Sequence, residues 1–202
     1  VLSGSRKALN WCDDKGSVDF YDMKGIVEGL LEAMQVSDYT MTRSQQPYLH
    51  PGKSCDIVVN GEVIGSFGEV HPVVQENFEL DQVTYVLEMA VEPLVASATA
   101  VPQYKHLPKF PSMSRDIAVV VPAEVTNAEL EQVIRAHAGE LLQGVRVFDI
   151  YTGKQVAAGC KSMAFNLTYQ AADRTLTDAE VDASMKKVIA EVAEAYKAKL
   201  RD

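Results

Sequence analysis

The chain has 202 residues, 47% of them apolar, and a formal net charge of −9, which allows one large or two small domains with their own cores. No apolar run approaches the roughly 18 residues that a membrane-spanning helix needs, and no signal peptide is recognisable. Cys12, Cys55 and Cys160 are widely spaced without a CxxC pair, which predicts free thiols in a reducing, cytoplasmic setting. Because the sequence starts without methionine, we expect a segment of a longer polypeptide.

The acidic excess lies wholly in the first half of the chain. Residues 1–103 carry six Lys/Arg against fifteen Asp/Glu, whereas residues 104–202 carry thirteen of each. A phosphate-bearing partner would be repelled by the first half and tolerated by the second. We therefore expect any nucleic-acid contact in the second half, as an accessory part of a larger interface.

The first regular element predicted is an amphipathic helix over 19–35. Its apolar residues recur at steps of three and four, which places them on one helical face. Gly25 and Gly29 lower the helix propensity, and their spacing favours close backbone packing against a neighbour.

A hairpin, a short helix and a strand follow in the first half. Asn60-Gly61 lies between two apolar runs and predicts a type I′ turn, which needs positive φ at both positions. We predict a helix over 72–78 and a strand over 84–89. The small, polar, proline-containing segment 97–103 is the best linker candidate, and it separates residues 1–100 from residues 104–202.

No catalytic or metal-binding constellation is recognisable in the first half. His50 and His71 each precede a proline, and such histidines usually cap helices or end strands. The chain has no glycine-rich phosphate loop, no G-x-S-x-G and no H-x-x-x-H. We therefore expect no catalytic residue and no metal ligand here.

The second half predicts strand, helix, strand, strand, helix. The strands are expected over 113–121, 145–151 and 161–169, and a last short strand over 198–201. Thr126-Asn-Ala-Glu129 and Thr177-Asp-Ala-Glu180 are capping boxes that begin the two helices. His137 is expected at the edge of the first helix's inner face. This order predicts a ferredoxin-like split βαβ domain.

Period-two alternation divides the strand residues between two faces of the sheet. The set predicted beneath the helices is Ile117, Val119, Val121, Phe148, Ile150, Met163, Phe165 and Leu167. The set predicted on the uncovered face is Asp116, Ala118, Val147, Asp149, Tyr151, Ser162, Asn166 and Thr168. Folds of this kind use such a face for single-stranded nucleic acid, with an aromatic ring stacked on a base. Tyr151 is the aromatic candidate, and an ordinary exposed tyrosine is the alternative.

Several motifs resemble the bacterial phenylalanyl-tRNA synthetase β subunit, near its C-terminal end. Their order and spacing hold across nearly all of the chain. The matching segments are DFYDMKG at 19–25, LHPGKS at 49–54, GSFGEVHP at 65–72, YVLEM at 85–89, KFPSMSRDIAVVV at 109–121, VFDIYTGK at 147–154, GCKSMAFNLTYQ at 159–170 and RTLTDAEV at 174–181.

The resemblance implies an α+β architecture of two parts. Residues 1–100 would be the end of a class II synthetase-like antiparallel domain that lacks catalysis, and residues 104–202 a ferredoxin-fold anticodon-binding domain. The intact enzyme would be a heterotetramer with the α subunit and the rest of the β subunit as partners. It would ligate phenylalanine to tRNA(Phe) with ATP and Mg²⁺, and this segment would hold no cofactor.

The resemblance also implies which residues contact the anticodon. These would be Tyr151 and Asp149 of the D-x-Y motif, with Ala118 and Ser162: guanine would stack on Tyr151, and Asp149 would accept from its edge. Many family members have arginine after the tyrosine, where this chain has Thr152. We therefore expect phosphate contacts from Arg115, Lys154 or Lys161 instead.

Two other classes of function are considered. A regulatory, ACT-like domain that binds an amino acid would need a glycine-rich loop after the first strand of the second half, where the chain has Pro122-Ala-Glu-Val. A free-standing hydrolase would need a nucleophile and a base within reach of each other. Neither requirement is met.

Overall fold

The computed structural model describes all residues of the chain except 8–10, 12–15, 100, 102–103, 105–106, 154–155 and 202. The chain forms two compact units, Val1–Tyr104 and Lys105–Asp202. Both units are α+β with antiparallel sheets, so the predicted fold class is confirmed.

The first unit is a sheet of five strands with the order β1-β5-β4-β3-β2. The elements are β1 (Leu2–Ser3), α1 (Phe20–Ala33), β2 (Tyr39–Arg43), β3 (Leu49–Val59), β4 (Glu62–Val70), α2 (Pro72–Asn77), β5 (Thr84–Met89) and α3 (Val91–Ser97). Asn60 and Gly61 both have positive φ between β3 and β4, as the predicted type I′ hairpin requires.

Helix α1 packs on this sheet through one face. Met23, Val27 and Leu31 are buried in the first core. The helix begins at a capping box between Asp19 and Asp22, whose carboxylates accept from the backbone amides of Asp19, Tyr21 and Asp22. The expected close packing at Gly25 and Gly29 is not found within the described part of the chain: outside the local helix backbone, no atom lies within 4 Å of where their Cβ atoms would be.

The second unit has a sheet of four strands with the order β7-β8-β6-β9 and two helices. Its elements are β6 (Met113–Pro122), α4 (Asn127–Ala138), β7 (Leu142–Tyr151), β8 (Cys160–Tyr169), α5 (Asp178–Tyr196) and β9 (Lys199–Leu200). Both predicted capping boxes are present. The helices and the strands share one core, and its buried strand residues include Val119, Met163 and Phe165.

The predicted faces of β7 are wrong in part. The register against β8 shifts between Val147 and Asp149, so Phe148 is an extra residue in the ladder. Val147 therefore packs against the core, and Phe148 is 52% exposed. Ile150 lies opposite buried Met163 yet remains 54% exposed. Beyond the bulge, Asp149 and Tyr151 share a face with the small side chains of β8.

Candidate nucleic-acid interface

No described helix covers the second face of the β7-β8-β6-β9 sheet; we call it the open face. Cross-strand partners lie on the same side of a sheet, so the register defines its residues. One row runs Tyr151, Ser162, Val120 and Lys199. The next row runs Asp149, Ala164 and Ala118.

Tyr151 lies at the end of β7 and is partly buried. A Cβ atom at Gly153 would overlap its Oη and Cζ atoms, so the ring packs directly on the backbone of the residue two positions later. On the ring itself lies the guanidinium of Arg201, with Cζ 4.7 Å from the ring centroid. Ser162 is opposite Tyr151 in the register and only 3% exposed.

Asp149 is exposed beside two alanines. Ala164 is its partner on β8, and Ala118 is in turn the partner of Ala164 on β6. Because methyl groups are short, a planar group could approach the sheet there and meet both the carboxylate and the Tyr151 ring. A carboxylate accepts hydrogen bonds only, so it favours a ligand edge that carries N–H donors.

A polar network lies on the same face one row farther along. Asn166 donates to Asp116 across the β8–β6 pair with 2.6 Å between Nδ2 and Oδ1. The Thr168 hydroxyl donates to Asn166 at 3.4 Å. Asp116 is thus already engaged, whereas Asp149 accepts no hydrogen bond from another described side chain.

Two of the three cations predicted to contact phosphate, Arg115 and Lys161, do not lie on the open face. Arg115 faces α5, where its guanidinium forms ion pairs with Asp178 and with Asp182, the latter at 3.5 Å. The hydrogen bond to Asp178 raises the pKa of Arg115. Period-two alternation around Ala118 could have shown that Arg115 points to the helices.

Lys161 also lies on the helix side of the sheet, opposite buried Val121. Its charge acts on Glu129 at the start of α4. The pKa of that carboxyl is lowered mainly by the hydrogen bond from the Thr126 hydroxyl and to a smaller extent by Lys161. Lys154 lies outside the described residues.

Three other cations of the described part of the chain belong to the open face, two by register and one by its contacts. They are Arg146, Lys199 and Arg201. Arg146 is opposite Asn166, Lys199 is opposite Val120, and the backbone N–H of Arg201 donates to the Ala118 carbonyl at 2.9 Å. Sequence reasoning missed them, although alternation along the predicted last strand could have indicated Lys199 and Arg201.

The first unit presents a cavity of about 480 Å³ next to the end of β1, lined by residues that include Gly4, Lys53, Glu69 and Tyr85. Glu69 is only 6% exposed. It accepts from Lys53 Nζ at 2.7 Å and from the Tyr85 hydroxyl at 3.1 Å. Burial, together with that hydrogen bond, raises the pKa of Tyr85 to about 12.

Two of the described histidines, His71 and His137, bond to nearby backbone groups. Nδ1 of His71 accepts from the backbone of Val73 and caps α2, as predicted. His137 Nδ1 lies 2.9 Å from the Val133 carbonyl oxygen. Among the described residues, no group of three or more His, Cys, Asp or Glu could hold a metal ion. Nor is any described helix long and apolar enough to cross a membrane.

Comparison with known families matches both halves of the chain. Residues 108–201 match the model "Ferredoxin-fold anticodon binding domain". Residues 1–91 match the model "Phenylalanyl tRNA synthetase beta chain CLM domain". The chain belongs to the phenylalanyl-tRNA synthetase β-chain family.

Curated relatives of this β-chain family agree over the full chain. The chain is 42% identical over 201 residues to the phenylalanine–tRNA ligase β subunit of Symbiobacterium thermophilum, covering 100% of the chain and 22% of that protein. The Halalkalibacterium halodurans subunit is 43% identical over 202 residues, covering 100% of the chain and 25% of that protein. The chain thus spans about a quarter of the length of these relatives.

Proposed function

We propose that the open face binds the anticodon of tRNA(Phe), with the first base of the anticodon stacked on Tyr151. Asp149 would accept hydrogen bonds from the N1–H and N2–H donors of a guanine, and Ala118, with Ser162, would leave room for its ring. The chain would thereby act as an accessory part of a phenylalanine–tRNA ligase β subunit. ATP and Mg²⁺ would serve the ligation elsewhere in that enzyme.

The observation that carries this proposal is the juxtaposition of a ring, a carboxylate and small residues on an uncovered sheet. Tyr151 and Asp149 lie in adjacent rows of the open face, and the second of these rows is completed by Ala164 and Ala118. Aromatic stacking combined with hydrogen bonds to a base edge is how such sheets recognise unpaired nucleotides. The match to an anticodon-binding domain supports this assignment.

For the first unit we propose a packing role within the heterotetramer, with the α subunit and the rest of the β subunit as partners. Its acidic charge disfavours a phosphate-bearing ligand. In its cavity, the Glu69 carboxylate already accepts from both Lys53 and Tyr85. A cytoplasmic location is supported by Cys55 and Cys160, which are both free thiols.

The test is Tyr151→Ala in the assembled enzyme. Loss of one stacked base should weaken tRNA binding by about 1–3 kcal/mol, or roughly five- to 150-fold. ATP-dependent activation of phenylalanine should be unchanged, because the anticodon contact is not part of that step.

Two control variants accompany this test. Tyr151→Phe keeps the ring and should retain most of the affinity. Phe148→Ala removes another exposed ring of β7 and should have little effect. An unchanged KM for tRNA in Tyr151→Ala would contradict the proposal.

An ACT-like amino-acid-binding domain is the alternative. The family match does not favour it. Measuring the binding of free phenylalanine and of tRNA to this chain in parallel distinguishes the two functions: we expect weak tRNA binding and no binding of phenylalanine.

A further inference from the structure

An arginine lies on the open face one row beyond the proposed base site. The row that follows Asp149 consists of Arg146, Asn166 and Asp116, which are cross-strand partners on β7, β8 and β6. On β8 the two rows are separated by the two residues from Ala164 to Asn166, which is a distance of about 7 Å. A base held over Asp149 would therefore have its own phosphates within reach of an extended Arg146 side chain.

The bulge at Phe148 places Arg146 on the open face. Without it, alternation from Asp149 would carry Val147 and Val145 onto the open face and would turn Arg146 toward the helices. The register shift between Val147 and Asp149 inverts this order, and both valines pack against the core. One extra residue thus buries two apolar side chains and brings a cation to the face that carries the ring and the carboxylate.

The Arg146 guanidinium has no competing partner in the part of the chain that the structure describes. The side chain is exposed, and it forms no hydrogen bond or ion pair with these residues. Asn166, its partner on β8, instead donates to Asp116 and accepts from Thr168. The N–H donors of the guanidinium therefore face solvent, where a ligand can accept from them.

Other described cations are less suited to a phosphate beside the base site. Arg115 is paired with Asp178 on the helix side of the sheet. Arg201 already contacts the Tyr151 ring. Lys199 belongs to β9, at the edge of the sheet opposite β7. Arg146 differs from all of these, because it lies on the open face, on the same strand as Tyr151, with its guanidinium exposed.

We propose that Arg146 binds the phosphate that joins the stacked nucleotide to its neighbour, so that the RNA strand follows β7. The inference rests on the proposed function. Along β7, the Tyr151 ring meets the face of the base, the Asp149 carboxylate meets its edge, and the Arg146 guanidinium meets the backbone. Asp149 and Asp116 put negative charge on this face, which repels phosphate. A guanidinium offsets that repulsion and can bind phosphate through two parallel hydrogen bonds.

The test measures binding of the full chain to an RNA stem-loop whose anticodon begins with guanine, at several salt concentrations. Arg146→Gln should weaken binding several-fold and reduce the slope of log K against log[salt] by about 0.7, the contribution of one phosphate contact on a single strand. Arg146→Lys keeps the charge and should keep the slope. Arg135→Gln is the matched control, because it removes the same charge from α4, where Arg135 pairs with Glu131. It should leave the slope unchanged.

A second measurement locates the phosphate. Two further stem-loops carry a neutral methylphosphonate in place of one or the other phosphate that flanks the guanine. One of them should bind the unsubstituted chain several-fold more weakly than the parent stem-loop does, whereas Arg146→Gln should bind that stem-loop and the parent equally. Additive losses from Arg146→Gln and from each neutral linkage would overturn the inference, because Arg146 would then contact neither phosphate.

Tyr151→Ala separates this inference from the proposed function. If Tyr151→Ala weakens stem-loop binding while Arg146→Gln changes neither the affinity nor the slope, the anticodon site stands and the phosphate contact fails. If Arg146→Gln weakens binding while Tyr151→Ala does not, both proposals fail, because no stacked nucleotide would then position the phosphate.

Discussion

Gly153 lies so close to Tyr151 that a Cβ atom at this position would overlap the phenol end of the ring. The φ angle of Gly153 is not in the positive region, so the backbone alone does not require glycine here. The tyrosine requires it. The orientation of the proposed stacking ring is thus determined by the absence of a side chain two residues later.

Gly153→Ala should therefore displace the ring and weaken tRNA binding in the same direction as Tyr151→Ala, by up to about 1–3 kcal/mol. The stability of the second unit should change little, because the position lies beyond the end of β7. Gly144→Ala, within β7, is the control glycine substitution, since its Cβ would meet only Thr168 at 3.9 Å. Equal affinities for the Gly153→Ala and unsubstituted chains in a binding titration would show that the ring position is not needed.

Asp149 should determine the preference for guanine. Guanine presents two N–H donors on its pairing edge where adenine presents one donor and one acceptor, and a carboxylate can only accept. Stem-loops with guanine or adenine at the first anticodon position differ in affinity, and Asp149→Asn should reduce this ratio. The corresponding difference in binding free energy should shrink by about 1–3 kcal/mol. Asp116→Asn, on the same face but bonded to Asn166, should leave that ratio unaltered. A ratio that survives Asp149→Asn would assign the discrimination to other groups.

Local patterns predicted much of this fold, because capping boxes and type I′ turns depend on residues close in sequence. The helix starts at Thr126 and Thr177 and the turn at Asn60 are of this kind. Helix α3 was not predicted: its N-cap Ala90 makes no side-chain hydrogen bond, so no capping residue marks its start.

The bulge at Phe148 could not be predicted from alternation. It arises from the pairing of β7 with β8, residues that are distant in sequence, and it reverses the face of every residue before it relative to those after it. The predicted face is correct for Asp149 and Tyr151 because both follow the bulge, and it is wrong for Val147, which precedes the bulge. The contact of Arg201 with Tyr151 joins opposite edges of the sheet, so alternation can indicate the face on which Arg201 lies but not the ring that it contacts.

The stability of the first unit should depend on the two neighbours that donate hydrogen bonds to Glu69. Glu69 is 6% exposed and accepts from Lys53 and Tyr85. Lys53→Met leaves a nearly buried carboxylate without its counterion and should lower the free energy of unfolding by about 1–3 kcal/mol. Lys53→Met combined with Glu69→Gln should recover much of this loss, because the neutral amide needs no counterion. Denaturant unfolding of the four chains in this cycle measures the coupling, and additive effects would contradict it.

Glu180 should make the second unit sensitive to acid. Its hydrogen bond with Arg174, followed by those from Thr177, lowers the pKa of this carboxyl from 4.5 to about 2. Since the folded pKa lies below the unfolded one, the stabilisation is complete above about pH 4.5 and is lost as the pH falls toward 2. The difference in Tm between the unsubstituted chain and Glu180→Gln should therefore be largest near neutral pH and shrink across that window. Arg174→Gln should lower Tm at neutral pH with Glu180 present and have little effect in the Glu180→Gln background. A Tm difference that stays constant from pH 7 to pH 2 would mean that the charge of Glu180 does not stabilise the start of α5.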